Sequence, residues 1–135
     1  MTSTMLGRPA RPKPPTIPVP ILGRLEGGAI AVATVVLFIL LGFAWWWLLA
    51  LFLVFDLSAI GFLTNDRIGA IGYNLIHNYA APAVLVGVYG ILLLAGFAVW
   101  PIAFIAGCWF FHVGADRAMG YGPRPFSAQH PITRP

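Results

Sequence analysis

Charge is scarce in this sequence: only 9% of its 135 residues are charged, against about 25% in soluble globular domains. Hydrophobic residues make up 59% of the chain. This balance excludes an ordinary soluble domain and indicates an integral membrane protein. The few basic residues flank apolar runs, which favours a lipid bilayer over nucleic acid as the partner.

Cysteine is nearly absent too, and the single Cys108 excludes an intramolecular disulfide. No secretory signal peptide is evident, because a proline-rich stretch precedes the first apolar run and no small-residue cleavage pattern follows it. That stretch, residues 1–19, has five prolines, three basic residues and no acidic residue. Its composition predicts a disordered, basic cytoplasmic tail.

The apolar runs predict an all-α fold, an integral membrane four-helix bundle over residues 20–122, with a C-terminal tail over residues 123–135. Each run supplies the roughly 20 residues that a helix needs to cross the hydrocarbon core. Pro82 is expected to kink the third helix, because proline removes a backbone donor. Gly120 is expected to end the fourth helix. The predicted helices cover about 20–44, 45–63, 68–94 and 98–119.

The basic residues also predict an orientation. All eight lysines and arginines fall at one end of the predicted bundle, whereas the turns near Ala44 and Phe97 have none. The positive-inside rule then places both termini in the cytoplasm. The opposite end carries the tryptophans that an interfacial aromatic belt would use. These are Trp45, Trp46, Trp47 and Trp100.

Ionisable side chains gather at one depth of this bundle. With a rise of about 1.5 Å per residue, Asp56 and His112 lie roughly 12 Å from the cytoplasmic end, and His77 roughly 15 Å. Glu26 lies roughly 9 Å from the same end. His112 and Asp116 are four residues apart, so they share a helix face. Because charged groups are costly in hydrocarbon, we expect these side chains to meet in a polar chamber open to the cytoplasm.

Two imidazoles and several carboxylates are ligands that suit a divalent metal such as zinc, manganese or iron. The predicted metal ligands are Asp56, His77, His112 and Asp116. Asp116 would be a fourth ligand or would orient His112. Glu26 is the expected general base, and the site would then hydrolyse a small or lipidic substrate. Asn74 and Asn78, on the face of His77, are the expected supporting polar residues.

Other functions remain open at this point, since no HExxH-type motif is present. The same side chains could form structural pairs, His112 with Asp116 and Asp56 with His77. Two histidines at one depth could ligate a haem, although the adjacent carboxylates argue against it. A chain of acids and histidines could pass protons or bind a cation. Self-association as a homo-oligomer is open as well.

Several segments together resemble the domain of unknown function 4260 family, small bacterial membrane proteins with four predicted spans. They are "LEGGAIA" (25–31), "FDLSAIGFL" (55–63), "RIGAIGYNLIHNYAAP" (67–82) and "HVGADRAMGYG" (112–122). The resemblance covers about residues 22–125 and implies a multi-pass protein of the bacterial inner membrane. It implies no activity.

Overall fold

The computed structural model describes residues 18–125, and within that range the chain forms helices and no strand. The predicted tails therefore lie almost entirely outside the described residues. The α-helices are α1 (Ile21–Leu40), α2 (Trp46–Ala50), α3 (Phe52–Asp56), α4 (Asp66–Ile76), α5 (Ala80–Leu94) and α6 (Trp100–Met119). A 3₁₀ helix, Leu57–Leu63, follows α3.

The predicted all-α membrane fold is confirmed in its main features. Three helical stretches are long and apolar enough to cross a membrane, namely Ile21–Leu40, Trp46–Leu63 and Asp66–Leu94. They turn large apolar side chains outward, as hydrocarbon solvent requires; Leu63 is 85% exposed and Leu94 is 92% exposed. α6 has 20 residues but carries polar side chains in its second half, and it is not among the three.

α6 is the helix on which α1 and α5 pack, whereas α4 packs on the 3₁₀ helix. α1 runs antiparallel to it, and Arg24 Nε donates a hydrogen bond to the carbonyl of Ala118 at 3.1 Å. The two backbones come closest where Gly27 faces Gly114, because neither has a side chain to hold them apart. The start of α1 and the end of α6 consequently lie at the same end of the molecule.

α6 ends at a glycine, as predicted. Gly120 has φ 96°, a left-handed conformation that favours glycine. Its amide donates to the carbonyl of Arg117 at 3.0 Å, and the amide of Tyr121 donates to that of Asp116 at 2.8 Å. These two bonds form a Schellman motif. The chain then turns towards α4, where residue 124 is held.

The third predicted helix is broken, but not as Pro82 suggested. α4 ends at Ile76 and α5 begins at Ala80, so the break falls at residues 77–79. Pro82 lies in the first turn of α5, where a missing amide hydrogen costs nothing because that amide has no helical partner. The second predicted helix is likewise divided, into α2, α3 and the 3₁₀ helix.

Candidate metal centre

Four side chains converge where α3 and α4 end beside the second half of α6. Asp56 is the last residue of α3, and His77 follows α4 directly. His112 and Asp116 come from successive turns of α6. One ligand atom from each residue lies within 4.8 Å of the ligand atoms of the other three. We call these residues the His–Asp group; they are the four ligands that the sequence predicted, brought together.

The distances within the group centre on the two histidine Nε2 atoms. His77 Nε2 lies 3.0 Å from His112 Nε2, 3.3 Å from Asp56 Oδ1 and 3.3 Å from Asp116 Oδ2. His112 Nε2 lies 3.7 Å from each of the same two oxygens. Two nitrogens and two oxygens thus surround one small volume.

Hydrogen bonding fixes the orientation of the His77 ring. Its Nδ1 lies 2.9 Å from the carbonyl of Tyr73, and because a carbonyl only accepts, Nδ1 carries a proton. In a neutral imidazole Nε2 then presents its lone pair to the rest of the group. The Tyr73 ring stacks on the His77 ring, with centroids 3.7 Å apart and planes inclined by 8°.

His112 is enclosed by aromatic side chains. Its ring is 0% exposed, with the Phe52 ring centroid at 4.5 Å and that of Phe55 at 5.3 Å. Within residues 18–125, its Nδ1 is buried and makes no hydrogen bond of good geometry. The ring is therefore held mainly by packing, with Nε2 as its polar contact with the group.

The group has one open side. His77 and Asp116 are buried like His112, at 4% and 7% exposure. The Asp56 side chain is 42% exposed. Three members are therefore shielded from the surroundings, and Asp56 stands at the entrance.

The two asparagines predicted to support the chamber instead hold the backbone. Asn78 accepts from the amides of Ala80 and Ala81, at 2.8 and 3.3 Å. It donates to the carbonyls of Asn74 and Leu75, at 2.8 and 2.6 Å. One amide side chain thus serves the exposed end of α4 and the start of α5. Such helix ends carry unpaired backbone groups, and an asparagine can satisfy both kinds.

Asn74 fastens the segment that follows α6. Its side-chain amide donates to the carbonyl of Arg124 at 2.7 Å, and its oxygen accepts from the Arg124 amide at 2.7 Å. The Arg124 guanidinium carbon lies 5.0 Å from the centre of the Tyr73 ring. The segment after α6 therefore covers the far face of the tyrosine that stacks on His77.

Glu26, the predicted general base, lies outside the His–Asp group. It is exposed on α1 and borders a separate cavity with Tyr79 and Arg117. The depth expected for Glu26 is close to that of the group, but Glu26 points in a different direction around the helix axis from the one expected. Depth follows from counting residues, whereas that direction depends on which face of α1 packs on α6.

Sequence reasoning missed three residues that brace the group. Tyr73 lies four residues before His77, a spacing that places it on the same helix face. Trp109 Nε1 donates to the carbonyl of Ile76 at 2.6 Å. Arg117 Nη2 donates to the carbonyl of His77 at 3.5 Å. The last two bonds tie α6 to the break before α5, and nothing in the sequence indicated where that break falls.

Comparison with known proteins bears on the family alone. No curated protein gives a significant match to the chain. No solved structure does so either. A family model, described as Domain of unknown function (DUF4260), matches residues 21–129. That range contains all four members of the His–Asp group and the residues that brace them. The chain belongs to the family described as Domain of unknown function (DUF4260).

Proposed function

We propose that this protein is a multi-pass membrane protein that binds one divalent transition metal ion, zinc above all, through Asp56, His77, His112 and Asp116. The observation that supports this proposal most is the spacing of the four ligand atoms. Bonds of about 2.0–2.1 Å to a tetrahedral zinc place neighbouring ligand atoms about 3.3–3.4 Å apart. The distances between imidazole nitrogens and carboxylate oxygens here run from 3.3 to 3.7 Å.

The protonation of His77 supports a cation as well. Its Nδ1 proton goes to Tyr73, so the Nε2 lone pair faces two carboxylate oxygens at 3.3 Å. Three sets of lone pairs directed at one point repel one another unless a positive charge lies between them. A metal ion meets this need for all of them, and a backbone carbonyl on the far ring nitrogen is the usual partner of a metal-ligating histidine.

For the activity, we propose hydrolysis of a small or lipidic substrate at this metal. Catalytic zinc sites hold the metal by three protein ligands and leave the fourth position to water or substrate. All four members would hold the ion at rest; for hydrolysis the three buried ones would keep it, and Asp56, half-exposed at the entrance, would give up its position to a water and accept a proton from that water. In this proposal Asp56 takes the role of general base that the sequence analysis gave to Glu26.

A metal-free network is the second candidate, because one distance favours it. His112 Nε2 and His77 Nε2 are 3.0 Å apart, the length of a direct N–H···N hydrogen bond. In that arrangement His112 Nε2–H donates to the lone pair of His77 Nε2, and both rings are neutral. The group would then join helices or hand on protons and would hold no metal. A haem fits less well. Two axial histidine nitrogens lie on opposite sides of the iron, about 4 Å apart with bonds of about 2 Å, whereas the two Nε2 atoms here are 3.0 Å apart.

Elemental analysis of the detergent-purified protein separates the two candidates. We expect about one metal ion per chain in the parent, after reloading with zinc and washing, and none in His77→Ala/His112→Ala. His130→Ala is the matched control, since it removes the third histidine of the sequence, which lies outside the described residues. Circular dichroism checks that each variant is helical. A parent that retains no zinc, manganese or iron after reloading would refute the metal site and leave the network.

The location and orientation are proposals too. We infer a bacterial inner-membrane protein with both termini in the cytoplasm, from the family and from the basic residues at the end where α1 begins and α6 ends. Cysteines introduced at Thr64 and Gly42, at opposite ends of the helices, test the orientation. The Thr64 thiol should be protected from an impermeant maleimide added to intact cells, and the Gly42 thiol should react. The reverse pattern would overturn the orientation.

A further inference from the structure

A cleft between α1 and α5 remains after the His–Asp group is accounted for. Both helices pack on α6, and two cavities lie along the groove between them. One, of about 620 Å³, lies near the start of α1 and reaches from Val19 to Ile30. The other, of about 480 Å³, continues from Ile30 to Leu41. Both are lined by Ile30, so they are neighbours along the groove, which we call the cleft.

The two cavities differ in chemistry. The first has polar groups at its wall, namely Glu26, Tyr79 and Arg117. The Tyr79 hydroxyl is buried, and among residues 18–125 it has no hydrogen-bond partner. A buried hydroxyl without a partner costs free energy, so a ligand that accepts its proton would be stabilised. Arg117 adds a cation beside it and Glu26 an anion.

The second cavity is apolar. Phe38, Val86 and Phe110 are among the side chains that line it. From Ile30 to Leu41, just past the end of α1, the cavity extends over eleven steps of about 1.5 Å, or about 16 Å. That length is about half the 30 Å thickness of a hydrocarbon core, so it matches one acyl chain.

We propose that this cleft binds one phospholipid with an amine-bearing headgroup. The acyl chain would occupy the apolar cavity, the phosphate would accept from Arg117 and the Tyr79 hydroxyl, and the ammonium would pair with Glu26. A helix from a second copy is the competing occupant, but it would press apolar side chains against these three polar groups. The proposal does not depend on the metal, because none of the four ligands lines either cavity.

Native mass spectrometry of the purified full chain, with phosphatidylethanolamine or phosphatidylglycerol added to the detergent, tests the proposal. We expect the parent to retain one phosphatidylethanolamine. Tyr79→Phe should weaken retention about tenfold, as loss of a hydrogen bond to a charged group does. Ala33→Phe should abolish retention by filling the cleft that Ala33 lines. Ala83→Phe is the matched control on exposed α5 surface and should behave like the parent.

The outcomes separate the possible occupants. Equal retention by the parent and all three variants would mean ordinary surrounding lipid and would overturn the proposal. A dimer in the parent that Ala33→Phe alone dissociates would overturn it in favour of a second copy. If Ala33→Phe fails to fold, Tyr79→Phe decides alone, because it removes only an oxygen atom that has no described partner. The parent should retain phosphatidylethanolamine in preference to phosphatidylglycerol, and Glu26→Gln should retain the two lipids equally. An unchanged preference in Glu26→Gln would refute the pairing of the ammonium with Glu26.

Discussion

Gly27 and Gly28 are adjacent on α1, but only Gly27 lies too close to α6 to accept a side chain. Their alanine variants therefore test whether this close contact positions the His–Asp group. A Cβ at Gly27 would lie 2.5 Å from Arg117 Cβ, 2.8 Å from the Gly114 carbonyl oxygen and 3.0 Å from the Ala118 amide nitrogen. Two of these are backbone atoms of α6 and cannot rotate away. A Cβ at Gly28 meets only the Ala118 methyl, at 3.7 Å, which is an ordinary contact.

The magnitude follows from this geometry. To reach ordinary contact, α1 must move away from α6 by roughly 0.6–0.9 Å in Gly27→Ala, and such overpacking costs about 1–3 kcal/mol. Alanine also favours a helix over glycine by about 1 kcal/mol, and both variants share that gain. The difference in unfolding free energy between Gly27→Ala and Gly28→Ala should therefore be about 1–3 kcal/mol.

The metal site should respond as well. Gly27 presses on α6 between Gly114 and Ala118, the stretch that contains Asp116 and adjoins His112. Ligands must be held within about 0.5 Å of their productive positions, so a displacement of this size should weaken zinc binding at least tenfold. Thermal unfolding in detergent and competition with a zinc chelator measure both effects. If Gly27→Ala matched Gly28→Ala in both assays, the close helix contact would not be what positions the ligands.

Three further predictions concern single side chains. Asp56→Asn should weaken zinc binding at least tenfold, whereas Asp66→Asn, at the start of α4, should leave zinc binding unchanged in the same chelator competition. Asn74→Leu removes both hydrogen bonds to Arg124, so hydrogen exchange at the Arg124 amide should become at least tenfold faster; unchanged exchange would show that Asn74 does not hold the segment after α6. Asn78→Leu removes four hydrogen bonds at the break between α4 and α5, and it should release zinc while circular dichroism shows the helices intact. Retained zinc in a folded Asn78→Leu variant would show that Asn78 does not position His77.

The sequence was sufficient to predict the grouping of Asp56, His77, His112 and Asp116. Charges are costly in hydrocarbon, so the few that occur inside apolar helices must find one another. Counting residues from each turn gave their depth, and antiparallel helices bring equal depths together. The spacing of His112 and Asp116 gave their shared face without any knowledge of the fold.

The direction of a side chain around its helix axis could not be predicted in the same way. Glu26 lies on an exposed face, because Gly27, one residue later, is the residue that α6 covers. Apolar residues occur on every side of α1, so its sequence shows no distinct stripe that would mark the buried face of the helix. The contacts of the asparagines could not be predicted for a different reason. Asn78 shares the face of His77, but the nearby helix ends offered its amide closer partners than the chamber did.

The break at residues 77–79 is the feature that connects fold and site. Within a membrane, backbone groups freed from a helix must be satisfied by protein or must line a cavity. Here Asn78, Trp109 and Arg117 satisfy them, at the cost of placing polar side chains at depth. The break ends α4 just before His77, and the His77 ring stacks on Tyr73 with Nε2 directed towards the other three members of the His–Asp group. The polar residues of this region are therefore of two kinds. Some form hydrogen bonds to the backbone groups that the break leaves free, and the others are the members of the His–Asp group. Only the second kind forms the proposed metal centre.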